Sequence, residues 1–158
     1  MKKLSTQSSK LSNQRGFTLI ELLVVIGILA VLLAITLVAI NPARQFAQAN
    51  NTKRRSDVSA ILNAVNNYQA DNKGILPAGI TSSSLSIKKT AGADICAALV
   101  PTYIAALPAD PLTNSGASVA DCTADYVTGY TIIQSATNNR VTVTAPGVEI
   151  GDSISATR

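Results

Sequence analysis

The stretch that decides the fold is Arg15-Gly16-Phe17-Thr18-Leu19-Ile20-Glu21-Leu22-Leu23-Val24-Val25-Ile26, where a short basic leader meets a long apolar run holding one carboxylate. From Leu22 to Ile40 there are 19 consecutive uncharged, mostly aliphatic residues, enough to span a bilayer core as a helix rising about 1.5 Å per residue. Between Phe17 and Ile40, seventeen residues are Leu, Ile, Val or Phe. At about 0.3–0.6 kcal/mol of favourable insertion each, they outweigh a penalty of roughly 3 kcal/mol for one carboxylate even at the bilayer centre. The segment inserts despite Glu21. A cleavable secretory signal places its cut after the apolar region, whereas here the cuttable Gly16 lies before it.

Basic leader, Gly16, Phe17 and Thr18, then Glu21, then an unbroken aliphatic run: this conjunction resembles the signal of type IV pilins and pseudopilins. The resemblance is strongest over residues 15 to 40 and looser on to Gly74. It implies cleavage by a prepilin peptidase between Gly16 and Phe17 and N-methylation of the new Phe17 terminus. The absence of a side chain at Gly16 would let the peptidase approach closely; the plain alternative is a flexible joint. It further implies that the Glu21 carboxylate neutralises the Phe17 amine of a neighbouring subunit as helices bundle. A buried charge is penalised strongly when unpaired and much less when paired, so such a pair checks subunit register. The alternative is a single-pass anchor with an incidental Glu21 near the interface. Pilins commonly carry a helix-breaking proline nearer to Val38, whereas this chain has Pro42, which shifts the expected kink; Gly27 is a second candidate for local flexibility.

Composition limits the function classes. Four of the thirteen basic residues precede Gly16, so the mature form has nine basic and nine acidic residues and nets zero. With six aromatics and balanced charge it lacks the footprint of a nucleic-acid binder, and no specific nucleic acid is expected. There is no His, no nucleophile elbow, no metal-ligand cluster and no Gly-rich phosphate loop, so catalytic residues are expected to be none. Cys96 and Cys122 are the only cysteines. In a chain that leaves the cytoplasm a disulfide between them is the natural reading, with two buried free thiols as the alternative and metal ligation remote.

The rest of the chain divides by pattern into a leader over residues 1–16, a membrane or filament-core helix over 17–41, an amphipathic helix over 42–74 and a β-rich head over 75–158. Asn41-Pro42 predicts a kink or local melting, because proline removes a hydrogen bond and biases the residue before it away from the helix. Val58, Ile61, Leu62, Val65 and Tyr68 recur at three- and four-residue spacing, and Asn72-Lys73-Gly74 supplies a stop. Beyond Gly74, Ala93–Leu99 reads as a brief helix, Tyr126–Gln134 and Arg140–Ala145 as strands, and Val148–Ile150 as a third. The fold class is α+β: a long N-terminal helix, apolar in its first half, with a small antiparallel sheet laid on its second half to bury the valine and isoleucine stripe.

Three weaker patterns remain. Lys53-Arg54-Arg55 suits lipid headgroups, an acidic patch on the next subunit, or a solvated helix face. Asp110, Asn114, Asp121 and Asp125 put oxygen ligands in one region, a weak calcium motif whose spacing departs from a tight ligand loop; no other cofactor is expected. Asn50-Asn51-Thr52 matches a glycosylation sequon. By resemblance, then, the expected function is a prepilin that polymerises through its N-terminal helix into an extracellular filament. Its partners would be other copies, the peptidase, a platform protein and an assembly ATPase, with the cytoplasmic membrane holding the subunit before assembly, head outside. The alternatives are a pseudopilin of a type II secretion or competence system and a monomeric anchored binding or adhesion module.

Overall fold

A computed structural model of the chain describes residues 16–158; the expected leader otherwise lies outside them. It divides after Asn41 into two compact units.

The first unit is built on helix α1, Leu19–Ile40. Its residues are aliphatic on every side, and none is buried within the chain. It ends where Asn41 turns left-handed, at φ 46° and ψ 77°, a conformation asparagine tolerates better than most residues.

The second unit begins with α2, Pro42–Asp71. Pro42 occupies the first helical position, where a missing N–H removes no helical bond. The break expected at Asn41-Pro42 is thus one left-handed residue followed by a fresh helix start. Val58, Ile61, Leu62, Ala64 and Val65 are buried along one face of α2. Lys73 and Gly74 are left-handed, and the Gly74 amide donates to the Gln69 carbonyl at 2.8 Å, closing the helix.

Four antiparallel strands follow in the spatial order of the sequence: β1 Leu85–Lys88, β2 Val127–Gln134, β3 Val141–Thr144 and β4 Ser155–Thr157. Thr131 lies opposite Thr144 and Ile132 opposite Val143, so Tyr130, Ile132, Val141 and Val143 share the inner face. That face packs on α2, enclosing a core with Ile61, Val65, Ile87, Ile95, Leu99 and Leu107. Each such side chain contributes about 1.5–3 kcal/mol on burial. The layout is the α+β arrangement predicted from the pattern, a long N-terminal apolar helix followed by a small antiparallel sheet.

Between β1 and β2 the chain forms a short helix, α3, Cys96–Leu99, and Cys96 and Cys122 are joined by a disulfide with Cα atoms 5.4 Å apart. Gly129 in β2 has φ +82°, and a Cβ there would stand 2.7 Å from Thr113 Oγ1 and 2.8 Å from Asp110 Cβ, so only glycine lets that loop close on the strand.

The sequence pattern misplaces the last strand. Val148–Ile150 forms no ladder, because the Glu149 N–H and C=O are both taken by the Asn51 side chain and Ile150 turns left-handed at φ 63°. The ladder resumes at β4, and β1 has no counterpart in the pattern.

Candidate functional site

Gly16, Phe17 and Thr18 precede the first turn of α1 and are exposed, so the Gly16–Phe17 peptide bond lies outside helical backbone. Thr18 is the N-cap, extended at φ −78° and ψ 151°. Its hydroxyl accepts the Glu21 N–H at 3.3 Å, while its own N–H and hydroxyl each donate to Glu21 Oε2 at 2.8 Å. This is a reciprocal capping box, which satisfies two of the donors that a helix start leaves orphaned. Phe17, 84% exposed, stands just before it. Gly27, in mid-helix, has open space around a would-be Cβ.

Leu19–Ile40 is the one helix among the described residues long and apolar enough to cross a membrane. A helix that is apolar all round needs lipid or other helices on every side.

In the second unit the basic triplet divides. Lys53 and Arg55 lie on the exposed face, each paired with a carboxylate of the chain, whereas Arg54 turns inward. Arg54 is completely buried. Its Nε donates to Asp110 Oδ2 at 2.6 Å, Nη2 to Asp110 Oδ1 at 3.2 Å, and Nη1 to Glu149 Oε2 at 2.7 Å and Asn51 Oδ1 at 2.9 Å. Lys53 Nζ bonds Asp57 and the Ala109 carbonyl, both at 2.8 Å, and Arg55 pairs with Asp152. Tyr130 donates its hydroxyl to Asp57 Oδ2 at 2.8 Å from inside the core.

The electrostatics follow from this geometry. The hydrogen bond to Asp110 outweighs burial and raises the Arg54 pKa above its ordinary value. Burial pushes the Asp110 carboxyl up, but bonds from Arg54 and the Leu112 N–H, with the Arg54 and Lys53 charges, bring it below the ordinary range. Glu149 is held low by bonds from Arg54 and Asn50, whereas burial and the Asp57 bond push the Tyr130 phenol well up. The cluster fastens two loops to α2 and offers no free nucleophile.

The weak calcium candidates are spent separately. Asp110 serves Arg54, the Asn114 amide donates to the Val127 carbonyl, Asp121 accepts from the Thr123 N–H and hydroxyl, and Asp125 accepts from Thr90. Among the described residues no group of three or more acidic, Cys or His side chains is placed to hold a metal ion. The sequon residue Asn50 lies within α2, its amide bonded to Glu149 Oε2 at 3.0 Å.

Sequence reasoning missed the Arg54–Asp110–Glu149 cluster because its partners lie 56 and 95 residues away. One signal was present: Arg54 sits four residues before Val58, on the same helical face as the apolar stripe.

Comparison with curated proteins and with solved structures gives no match. Comparison with protein families gives a match to the prokaryotic N-terminal methylation motif over residues 11–37, a span that includes Gly16, the capping box and most of α1. Peptidase processing, membrane anchoring before assembly and a structural rather than catalytic role all fit that motif and this helix. Residues 11–37 of this chain thus match the prokaryotic N-terminal methylation motif, the signature of type IV pilins and pseudopilins.

Proposed function

We propose that the chain is a prepilin, cut after Gly16, methylated on Phe17 and polymerised through α1 into a type IV pilus-like extracellular filament. One observation carries the reading: a non-helical Gly16–Phe17 bond stands immediately before a capped carboxylate and a helix whose aliphatic side chains are all exposed. The exposed helix requires a continuous apolar environment, which lipid supplies before assembly and neighbouring helices supply afterwards. Glu21 pairs with the amine created on Phe17 of a neighbouring subunit, so the charge is matched in the filament core. Repeated head-to-tail contacts of one subunit type that do not close into a ring extend as a helix, with energy from a separate assembly ATPase acting through a platform protein.

Expression beside a prepilin peptidase and assembly machinery tests this. The wild-type chain should shorten to a Phe17 start and yield sheared filaments under the electron microscope, while Gly16→Leu should remain full length in the membrane. A wild-type chain left uncut by an active peptidase would contradict the proposal.

A further inference from the structure

The sheet has two edges, β1 and β4, and the fold treats them differently. Along β1 the Ala93 N–H donates to the Ser86 carbonyl at 2.8 Å, and a Cβ on Gly92 would run into that carbonyl and the Lys88 side chain, so the loop after β1 is pressed against its edge. The β1–β2 register also shifts between Ser86 and Lys88. A covering loop, an irregular register and a lysine are ordinary guards of an exposed edge. β4, Ser155-Ala156-Thr157, has none of them.

The β3–β4 pairing shows which groups this edge leaves free. Arg158 exchanges both main-chain hydrogen bonds with Val141, and the Ile154 carbonyl accepts from the Ala145 N–H, so residues 154, 156 and 158 face β3. By alternation the N–H and C=O of Ser155 and Thr157 face away from it, and they have no partner among the described residues. Space lies beside them: a groove of about 260 Å³ is lined by Arg55, Val58 and Ser59 of α2 and by residues 153–156.

We infer that β4 is a self-association edge: it pairs antiparallel with β4 of a second copy about a two-fold axis at Ala156, with Ser155 opposite the partner's Thr157. A two-fold pairing matches each free donor to a free acceptor of the same edge, giving four main-chain hydrogen bonds, and the sheet's other edge is closed. At the axis the facing residue is a small alanine. The Ser155 hydroxyl, unpaired among the described residues, meets the partner's Thr157 much as Thr142 meets Thr157 within the chain, at 2.8 Å. The charges match as well, since exposed Asp152 lies diagonal to the partner's Arg158. Three residues make a weak contact between free molecules, but copies anchored through α1 in one bilayer meet at high local concentration. A two-fold contact closes on itself, so it is separate from the head-to-tail contacts that extend a filament and does not rest on the proposed function.

The test is Ala156→Cys in the full chain, reconstituted in lipid vesicles, mildly oxidised and read on a non-reducing gel. Residues facing each other at a non-hydrogen-bonded position of an antiparallel pair have Cα atoms about 4.5 Å apart, within reach of a disulfide. Ser82→Cys, exposed and outside β4, measures chance collision. Ser155→Pro added to Ala156→Cys removes the outward N–H and leaves the pairing with β3 intact, with near-ultraviolet circular dichroism reporting the fold.

The expected result is a linked dimer roughly tenfold above the Ser82→Cys level, and a loss of about the same factor on adding Ser155→Pro, the scale of removing two exposed main-chain hydrogen bonds, one per copy. Should Ser155→Pro unfold the head, Thr157→Pro, which removes the other outward N–H, takes its place. Linking no greater than that of Ser82→Cys overturns the inference, as does linking undiminished by either proline in a folded chain. Oxidation of Ala156→Cys on expressing cells should give the mass of two copies, and a link to a foreign chain in its place overturns the inference too.

Discussion

Replacing Arg54 by methionine removes the cation hydrogen-bonded to a buried carboxylate while keeping most of the side-chain volume. The Arg54 side chain is 0% exposed and its partner Asp110 only 4%, so neither water nor salt can substitute for the lost pair. Breaking such a pair from one side costs about 3–5 kcal/mol, because the remaining charge is left uncompensated. Glu149 is 29% exposed and can turn to solvent, so it adds at most about 1 kcal/mol to this. At about 3–5 °C per kcal/mol for a domain near this size, the thermal midpoint should fall by about 10–20 °C. The assay is thermal unfolding of the mature chain in detergent, disulfide intact, followed by near-ultraviolet circular dichroism of its tyrosines. Adding Asp110→Asn, which removes the orphaned charge and still accepts from the Leu112 N–H, should recover at least about 1 kcal/mol of that loss. A midpoint within about 3 °C of wild type for the single variant would refute the reasoning that this cluster fastens the loops to α2.

The remaining predictions concern pH, the disulfide and Glu21. Asp110 and Glu149 titrate low in the fold, so their stabilisation is present above the unfolded carboxylate values near 4 and is lost as pH falls below them. Tyr126 and Tyr130 titrate high, Tyr126 through burial and its bond to Asp94, so their contribution is full below about pH 10 and is lost as pH rises beyond it. Chemical-denaturation midpoints measured from pH 2 to 11 should therefore form a plateau with a fall at each end, and a flat profile at either end refutes that half. The disulfide closes a 26-residue separation, so Cys96→Ser with Cys122→Ser should cost roughly 3.5 kcal/mol by denaturant unfolding; a loss under about 1 kcal/mol contradicts that account. Glu21→Ala should insert in membranes as wild type does yet give few sheared filaments, and an unchanged yield would remove the charge-pairing step.

What could be read from the residues depended on how local the physics was. The unbroken aliphatic run from Leu22 announced α1, and the spacing of Val58, Ile61, Leu62 and Val65 announced the face on which the sheet lies, because both patterns are properties of one helix. Val141-Thr142-Val143-Thr144 alternates cleanly and forms β3. By contrast β4 is three residues, Ser-Ala-Thr, and β1 is four, ending on a lysine; edge strands this short carry almost no alternation. Val148–Ile150 looked extended because it is apolar around one glutamate, but a side chain of α2 some 98 residues earlier took its backbone groups. The same distance hid the fate of Lys53-Arg54-Arg55, since a basic triplet on a helix looks solvated until its carboxylates are brought in by the fold. At the N-terminus the motif was legible because Gly16, Phe17, Thr18 and Glu21 are close neighbours in the chain, whereas the reciprocal Thr18–Glu21 hydrogen bonds emerge only from the structure.

The central claim is most directly tested by intact mass and N-terminal sequencing of the protein sheared from the surface of expressing cells. The account predicts a chain that begins at N-methylated Phe17, lacks the first sixteen residues and is recovered in filaments. A chain that retains Met1 and stays in the membrane fraction while an active prepilin peptidase is present would contradict it.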